Sequence, residues 1–149
     1  MVLSGGACVS IYSERRYVSV DLVNLRLAKR RRIREAMEAI GFSEQGRHFA
    51  HPDTVYLVEF PPGPLAVGSE PVKEVVPLTQ ETGTIRMISA TDCVKDRLTW
   101  YYHSDDAQCL EQASLVAHSR EIDLEEIRRW SEGEGKLSTF ESIEDRLKR

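Results

Sequence analysis

The segment VLSGGACVSIYSERRYVSVDLV, Val2 to Val23, opens on two apolar residues, breaks at Gly5-Gly6, stays apolar and small to Tyr12, and closes on a β-branched run. Glycine permits a tight turn and close backbone approach. The first part therefore predicts a strand, a glycine turn and a short helix. Tyr17 to Val23 alternates and is rich in β-branched and aromatic residues, which predicts a second strand.

Outward from this segment, Ile33, Met37 and Ile40 recur at helical spacing between Ala28 and Ile40, with Gly41 placed to end the helix. Arg47–Phe49 and Val55–Phe60 read as strands around a turn at His51-Pro52-Asp53, and Pro61-Pro62-Gly63-Pro64 ends the second of them. Two more strands are expected at Val72–Leu78 and Thr84–Ile88, with Thr82-Gly83 turning the chain. After Ser89 the period becomes helical. Ser89 or Thr91 caps a helix through Val94, Leu98 and Tyr101, and Asp92 favours its positive end. A second helix runs from Asp105 to His118, Asp123 caps a third through Ile127 and Trp130, and Gly133 and Gly135 break it. A final amphipathic segment carries Leu137, Phe140, Ile143 and Leu147. The pattern predicts an α/β (α+β) fold, a mixed sheet with flanking helices and a helical C-terminal half.

The 149 residues fit a single domain, 1–149, divided into a mixed-sheet part at 1–88 and a helical part at 89–149, with no repeat or long linker. No apolar run approaches the roughly 20 residues that span a bilayer, and the N-terminus lacks the basic start and apolar stretch of a signal peptide. A cytoplasmic protein without a membrane partner is expected. Cys8, Cys93 and Cys109 are odd in number and scattered, which argues for reduced, partly buried thiols. A net charge of −4 supplies no global attraction to nucleic acid. The local exception is Lys29-Arg30-Arg31-Arg32 with Arg26 and Arg34, a run that more often forms a solvated helix face than an RNA patch.

Chemistry concentrates at Gly5-Gly6, Ser10, Asp21 and Glu59. A glycine turn at a helix start brings backbone N–H groups near phosphate. Two strand carboxylates can share Mg²⁺, which prefers oxygen ligands. The spacing is equally compatible with a plain turn and a strand-end carboxylate. His48 and His51 have no third ligand at useful spacing, and His103 and His118 suit helix ends. Tyr17, Trp100 and Trp130 read as core or interface residues rather than base-stacking platforms.

The segments GGACVSIYSERRYVSVD, GFSEQGRHFAHPDTVYLVEFPPGPLAVG and SATDCVKDRLTWYYHSDDAQCLEQASLVA resemble the nucleotidyltransferase-fold superfamily, closest to its bacterial abortive-infection, toxin–antitoxin-type group. The resemblance implies that Gly5, Gly6 and Ser10 face nucleotide phosphates. It makes Asp21 and Glu59 the catalytic carboxylates and ligands of Mg²⁺ or Mn²⁺, and puts Lys95 and Asp106 on helices facing the nucleotide. It further implies an NTP substrate, an RNA or protein acceptor and an antitoxin-like partner. Two features depart from the family. Val23 stands where a second carboxylate is expected two residues beyond Asp21, which weakens or removes the metal site. The helix that relatives carry before the Gly-Gly strand is missing, which would uncover apolar surface and favour a homo-oligomer. Three readings stay open: a metal-dependent nucleotidyltransferase, a catalytically impaired pseudoenzyme that binds nucleotide or a protein partner, and an RNA-binding module.

Overall fold

A computed structural model describes residues 1–14, 29–61 and 64–148, with the backbone of 20–23. Val2–Ser4 forms β1 and runs without a loop into α1, Gly5–Tyr12. The junction depends on Gly5, whose φ of +56° lies in the left-handed region that strains residues with a Cβ. β2 is Val20–Val23. The expected start of that strand, Tyr17 to Ser19, lies outside the described residues, as do Asn24, Arg26, Ala28, Pro62 and Gly63.

Helix α2, Arg30–Glu38, buries Ile33 and Met37. It closes in a Schellman arrangement: the Phe42 N–H donates to the Met37 carbonyl and the Gly41 N–H to that of Glu38, both at 3.0 Å, with Gly41 at φ +90°. Ile40, expected on the apolar stripe, falls in this closure and is exposed. Ser43–Gln45 and His48–Ala50 form the hairpin β3–β4, of which β3 is too polar to stand out as a strand. β5 is only Val58–Glu59, and Val55, 89% exposed, together with Tyr56 and Leu57 lies outside the sheet. Apolar character alone made those three look like strand.

A short hairpin, β6 (Ala66–Val67) and β7 (Glu70–Pro71), precedes the longer pair β8 (Val75–Gln80) and β9 (Gly83–Ile88). The register pairs Gln80 with Gly83, so Glu81-Thr82 makes the second turn, one residue earlier than expected. Seven strands then share one sheet in the order β3-β4-β5-β2-β1-β9-β8. β1–β9 and β2–β5 are parallel and the remaining neighbours antiparallel.

The rest is helical, as the pattern predicts. Ser89 caps α3, Ala90–Ser104, by accepting from the Asp92 N–H at 3.1 Å. Asp106 caps α4, Ala107–Ser119, and Asp123 caps α5, Leu124–Gly133. α6, Leu137–Ile143, and a 3₁₀ turn at Glu144–Arg146 end the chain. Among the described residues no helix is long and apolar enough to cross a membrane.

The main core joins β1, β9 and α1 to α3–α6 through Val9, Val94, Leu98, Val116, Trp130 and Phe140, all fully buried. Burying one such side chain contributes about 1.5–3 kcal/mol. A second cluster, Ile33, Met37, Phe49, Val58 and Phe60, seats α2 on β4 and β5. All three cysteines are buried and unpaired. Burial holds the Cys93 thiol well above its ordinary value and pushes Cys109 up to about 11.

Helix α5 fastens the β6–β7 hairpin at three points. Trp130 Nε1–H donates to the Val67 carbonyl at 3.2 Å, and the Arg129 guanidinium grips both oxygens of Glu70 at 2.9 and 2.7 Å. The Ser69 N–H and hydroxyl both donate to Glu134, whose carboxylate lies across Gly68 so closely that an added Cβ there would meet it at 2.7 Å.

Candidate functional site

Strand pairing assembles the predicted residues. Ser4 pairs with Asp21, Asp21 with Glu59, and Glu59 with His48, so one rung crosses β1, β2, β5 and β4. Adjacent strands lie about 4.8 Å apart. Two carboxylate residues on neighbouring strands thus sit beside the strand end that becomes α1. Ser4 is extended and makes no side-chain cap, and the first turn of α1 carries no acid. The positive end of the helix dipole is therefore not offset from within the element.

At this end of the sheet a cleft of about 510 Å³ is lined by Ser4, Gly5, Arg47, Glu59, Arg97 and Trp100, among others. The Glu59 carboxylate, half-buried, is approached by Arg47 Nε at 3.5 Å and His48 Nε2 at 3.4 Å. Arg47 itself is well exposed, so it can turn toward an incoming anion. Arg97 is held more firmly. Its guanidinium donates to Asp96 from two nitrogens and to Gln112 at 3.3 Å. Burial works against its charge, but the Asp96 carboxylate more than offsets this and raises its pKa further. Arg97 and Asp96, which both line the cleft, thus form a fixed ion pair.

The other wall of the cleft is apolar, made by Pro61, Pro64, Leu65 and Ala66. Trp100 stands at the cleft 54% exposed and not in the core. Trp130, by contrast, is fully buried as expected.

The remaining predicted residues are placed elsewhere. Gly6 is buried in the first turn of α1, and the Ser10 hydroxyl donates back to the Gly6 carbonyl at 3.0 Å within the helix. Lys95, 5% exposed, lines a second cleft of about 370 Å³ with Asp92, Asp123 and Glu126. Its ammonium lies 2.7 Å from Glu126 and 3.3 Å from Asp92. Hydrogen bonds from Arg129 first and Lys95 next, against the opposing effect of burial, hold the Glu126 carboxyl down to about 2. The Lys95 charge is thus already balanced by protein. Asp106 serves α4 instead, accepting from the Gln108 N–H at 3.0 Å and from the Cys109 thiol at 3.4 Å, and it lines neither cleft.

Of the basic run, Arg30 and Arg34 pair with Glu44 and Arg31 with Glu35, an ion-paired helix face as expected. Among the described residues no group of three His, Cys, Asp or Glu is disposed to hold a metal. The side chain of Asp21 lies outside that description. By register, Asp21 on β2 is the neighbour of Glu59 on β5.

Comparison of the chain with protein-family models, with curated proteins and with solved structures gives no match in any of the three.

Proposed function

We propose that the cleft beside the N-terminus of α1 binds a nucleoside triphosphate, and that the chain is a nucleotidyltransferase-like protein of the toxin type. Asp21 and Glu59 hold one Mg²⁺ or Mn²⁺, and the nucleotide passes to an RNA or protein acceptor. The observation that carries this reading is the rung Ser4–Asp21–Glu59, which brings two carboxylate residues to the uncapped start of a helix. The bound ion would neutralise the triphosphate and the charge that develops on it. The residues themselves do three things: the start of α1 attracts the phosphates, the exposed Arg47 turns from Glu59 to add positive charge, and Glu59 exchanges its Arg47 and His48 contacts for the ion.

One observation favours a second reading. Val23 removes a ligand, and Glu59 already has two basic neighbours. A pseudoenzyme that binds nucleotide, or an antitoxin-like partner, without turnover would keep this arrangement. Isothermal titration calorimetry with each NTP, with and without Mg²⁺ or Mn²⁺, separates the two. Metal-dependent binding that disappears in Asp21→Asn supports a working site. Metal-independent binding that survives Asp21→Asn supports the pseudoenzyme. Absence of binding under every condition refutes a nucleotide site of either kind.

A further inference from the structure

The cleft has two chemically distinct halves. Ser4, Gly5, Arg47 and Arg97 line a polar half in which Arg47 is paired with Glu59 and Arg97 with Asp96, whereas Pro61, Pro64 and Leu65 supply an apolar surface. Trp100 follows Arg97 by three residues and Asp96 by four, so all three share one face of α3. A fully buried Trp needs no ligand to account for it. Trp100 is more than half exposed, and it lines a cleft that also holds the Arg97–Asp96 ion pair.

Phosphate and metal would engage only the charged half. An occupant that fills both halves needs a polar end that engages the donors and a flat apolar end. We infer that the cleft takes the whole nucleotide, with its aromatic base stacked on Trp100 and its phosphates at the start of α1, so that Trp100 is a base-binding residue. This inference rests on the reading of the cleft as a nucleotide site. Stacking on an indole accepts any base, because every base presents a π-face. The substrate class is accordingly purine and pyrimidine nucleotides alike.

The test compares ATP, CTP and inorganic tripolyphosphate, each with Mg²⁺, on the wild-type chain and on Trp100→Ala and Trp100→Phe, by calorimetry. Trp100→Ala should weaken ATP and CTP about tenfold and leave tripolyphosphate unchanged. Trp100→Phe, which keeps an aromatic face, should restore most of the loss. Trp100 is exposed, so neither variant disturbs the core, and a circular-dichroism melt verifies this. Equal weakening of all three ligands overturns the inference, as does tripolyphosphate binding with ATP affinity unaltered by Trp100→Ala. Should Trp100 instead be covered by a second copy of the chain, Trp100→Ala would lower the mass in light scattering without changing ATP affinity, which also overturns it. If none of the ligands binds the wild type, the nucleotide site falls and this inference with it.

Discussion

Replacing Lys95 by Met separates a structural lysine from a phosphate-binding one. The resemblance puts Lys95 opposite the nucleotide, whereas the structure gives it two carboxylate partners in a different cleft, at 2.7 and 3.3 Å. Removing one member of a buried ion pair costs about 3–5 kcal/mol, because it leaves a buried charge without a partner. The loss should be smaller here. Glu126 keeps two hydrogen bonds from Arg129, at 2.6 and 2.8 Å, and Asp92 remains at the positive start of α3. About 2 kcal/mol is therefore expected for Lys95→Met, or a fall in Tm of about 4–8 °C for a chain of this size.

Urea and thermal melts followed by circular dichroism measure this change. The double variant Lys95→Met/Glu126→Gln should lose less than the sum of the two singles, since the residues touch. The acid limb adds a signed check. A carboxylate held below its unfolded value of about 4.5 contributes stability above that pH and loses it as pH falls toward the folded value of about 2. Lys95→Met raises the folded-state Glu126 pKa toward its unfolded value, so the loss of stability on acidification should start at the same pH, be smaller, and be complete at a higher pH. After screening at a partly exposed site, the Glu126 contribution amounts to about 1 kcal/mol. ATP affinity should stay within about twofold of wild type. An unchanged melt together with a tenfold loss of ATP affinity would refute this account of Lys95.

Three further outcomes follow from the same geometry. Gly5→Ala forces a Cβ into φ +56° at the β1–α1 junction and should cost about 1–2 kcal/mol in urea denaturation. A neutral result would mean that the junction relaxes. Val23→Asp adds a carboxylate two residues along β2 from Asp21 and should strengthen Mn²⁺ binding in calorimetry, with unchanged affinity indicating that the metal is held elsewhere. Native protein should react slowly with a thiol-specific reagent at neutral pH and rapidly in urea, because burial raises the Cys93 and Cys109 thiols. Fast labelling of the folded chain would contradict the buried placement.

The helices were legible because their ends carry local chemistry. Ser89 and Asp123 do cap α3 and α5, and Gly41 does close α2. Short strands have no such signature. β3, β6 and β7 span two or three residues each and exist through their partners, whereas Val55–Leu57 is apolar but lacks a neighbouring strand. The rung Ser4–Asp21–Glu59 joins residues distant in sequence, and only the order of β1, β2 and β5 brings them together. Lys95, Arg97 and Trp100 could not be sorted from the sequence, because helix phase decides which cleft each one lines. Two residues advance about 200° around a helix. Lys95 and Arg97 therefore point to different clefts, and Trp100 shares the face of Arg97. Of the missed cleft residues, Asp96 and Arg97 lie on α3 and Arg47 in the β3–β4 turn, and nothing local marks them as facing a common space.

The fastening of the β6–β7 hairpin to α5 has a consequence for dividing this chain into parts. Among the described residues none beyond Trp100 lines the larger cleft, so a shortened protein ending after α4 would retain the described side chains that line it. It would still lose Trp130 behind Val67, Arg129 against Glu70 and Glu134 across Gly68, which brace Leu65 to Val67 from the far side. Helix α5 thus supports, through the hairpin, a cleft that none of its described residues lines. The segment that lines the cleft and the segment that braces its wall are not separable modules.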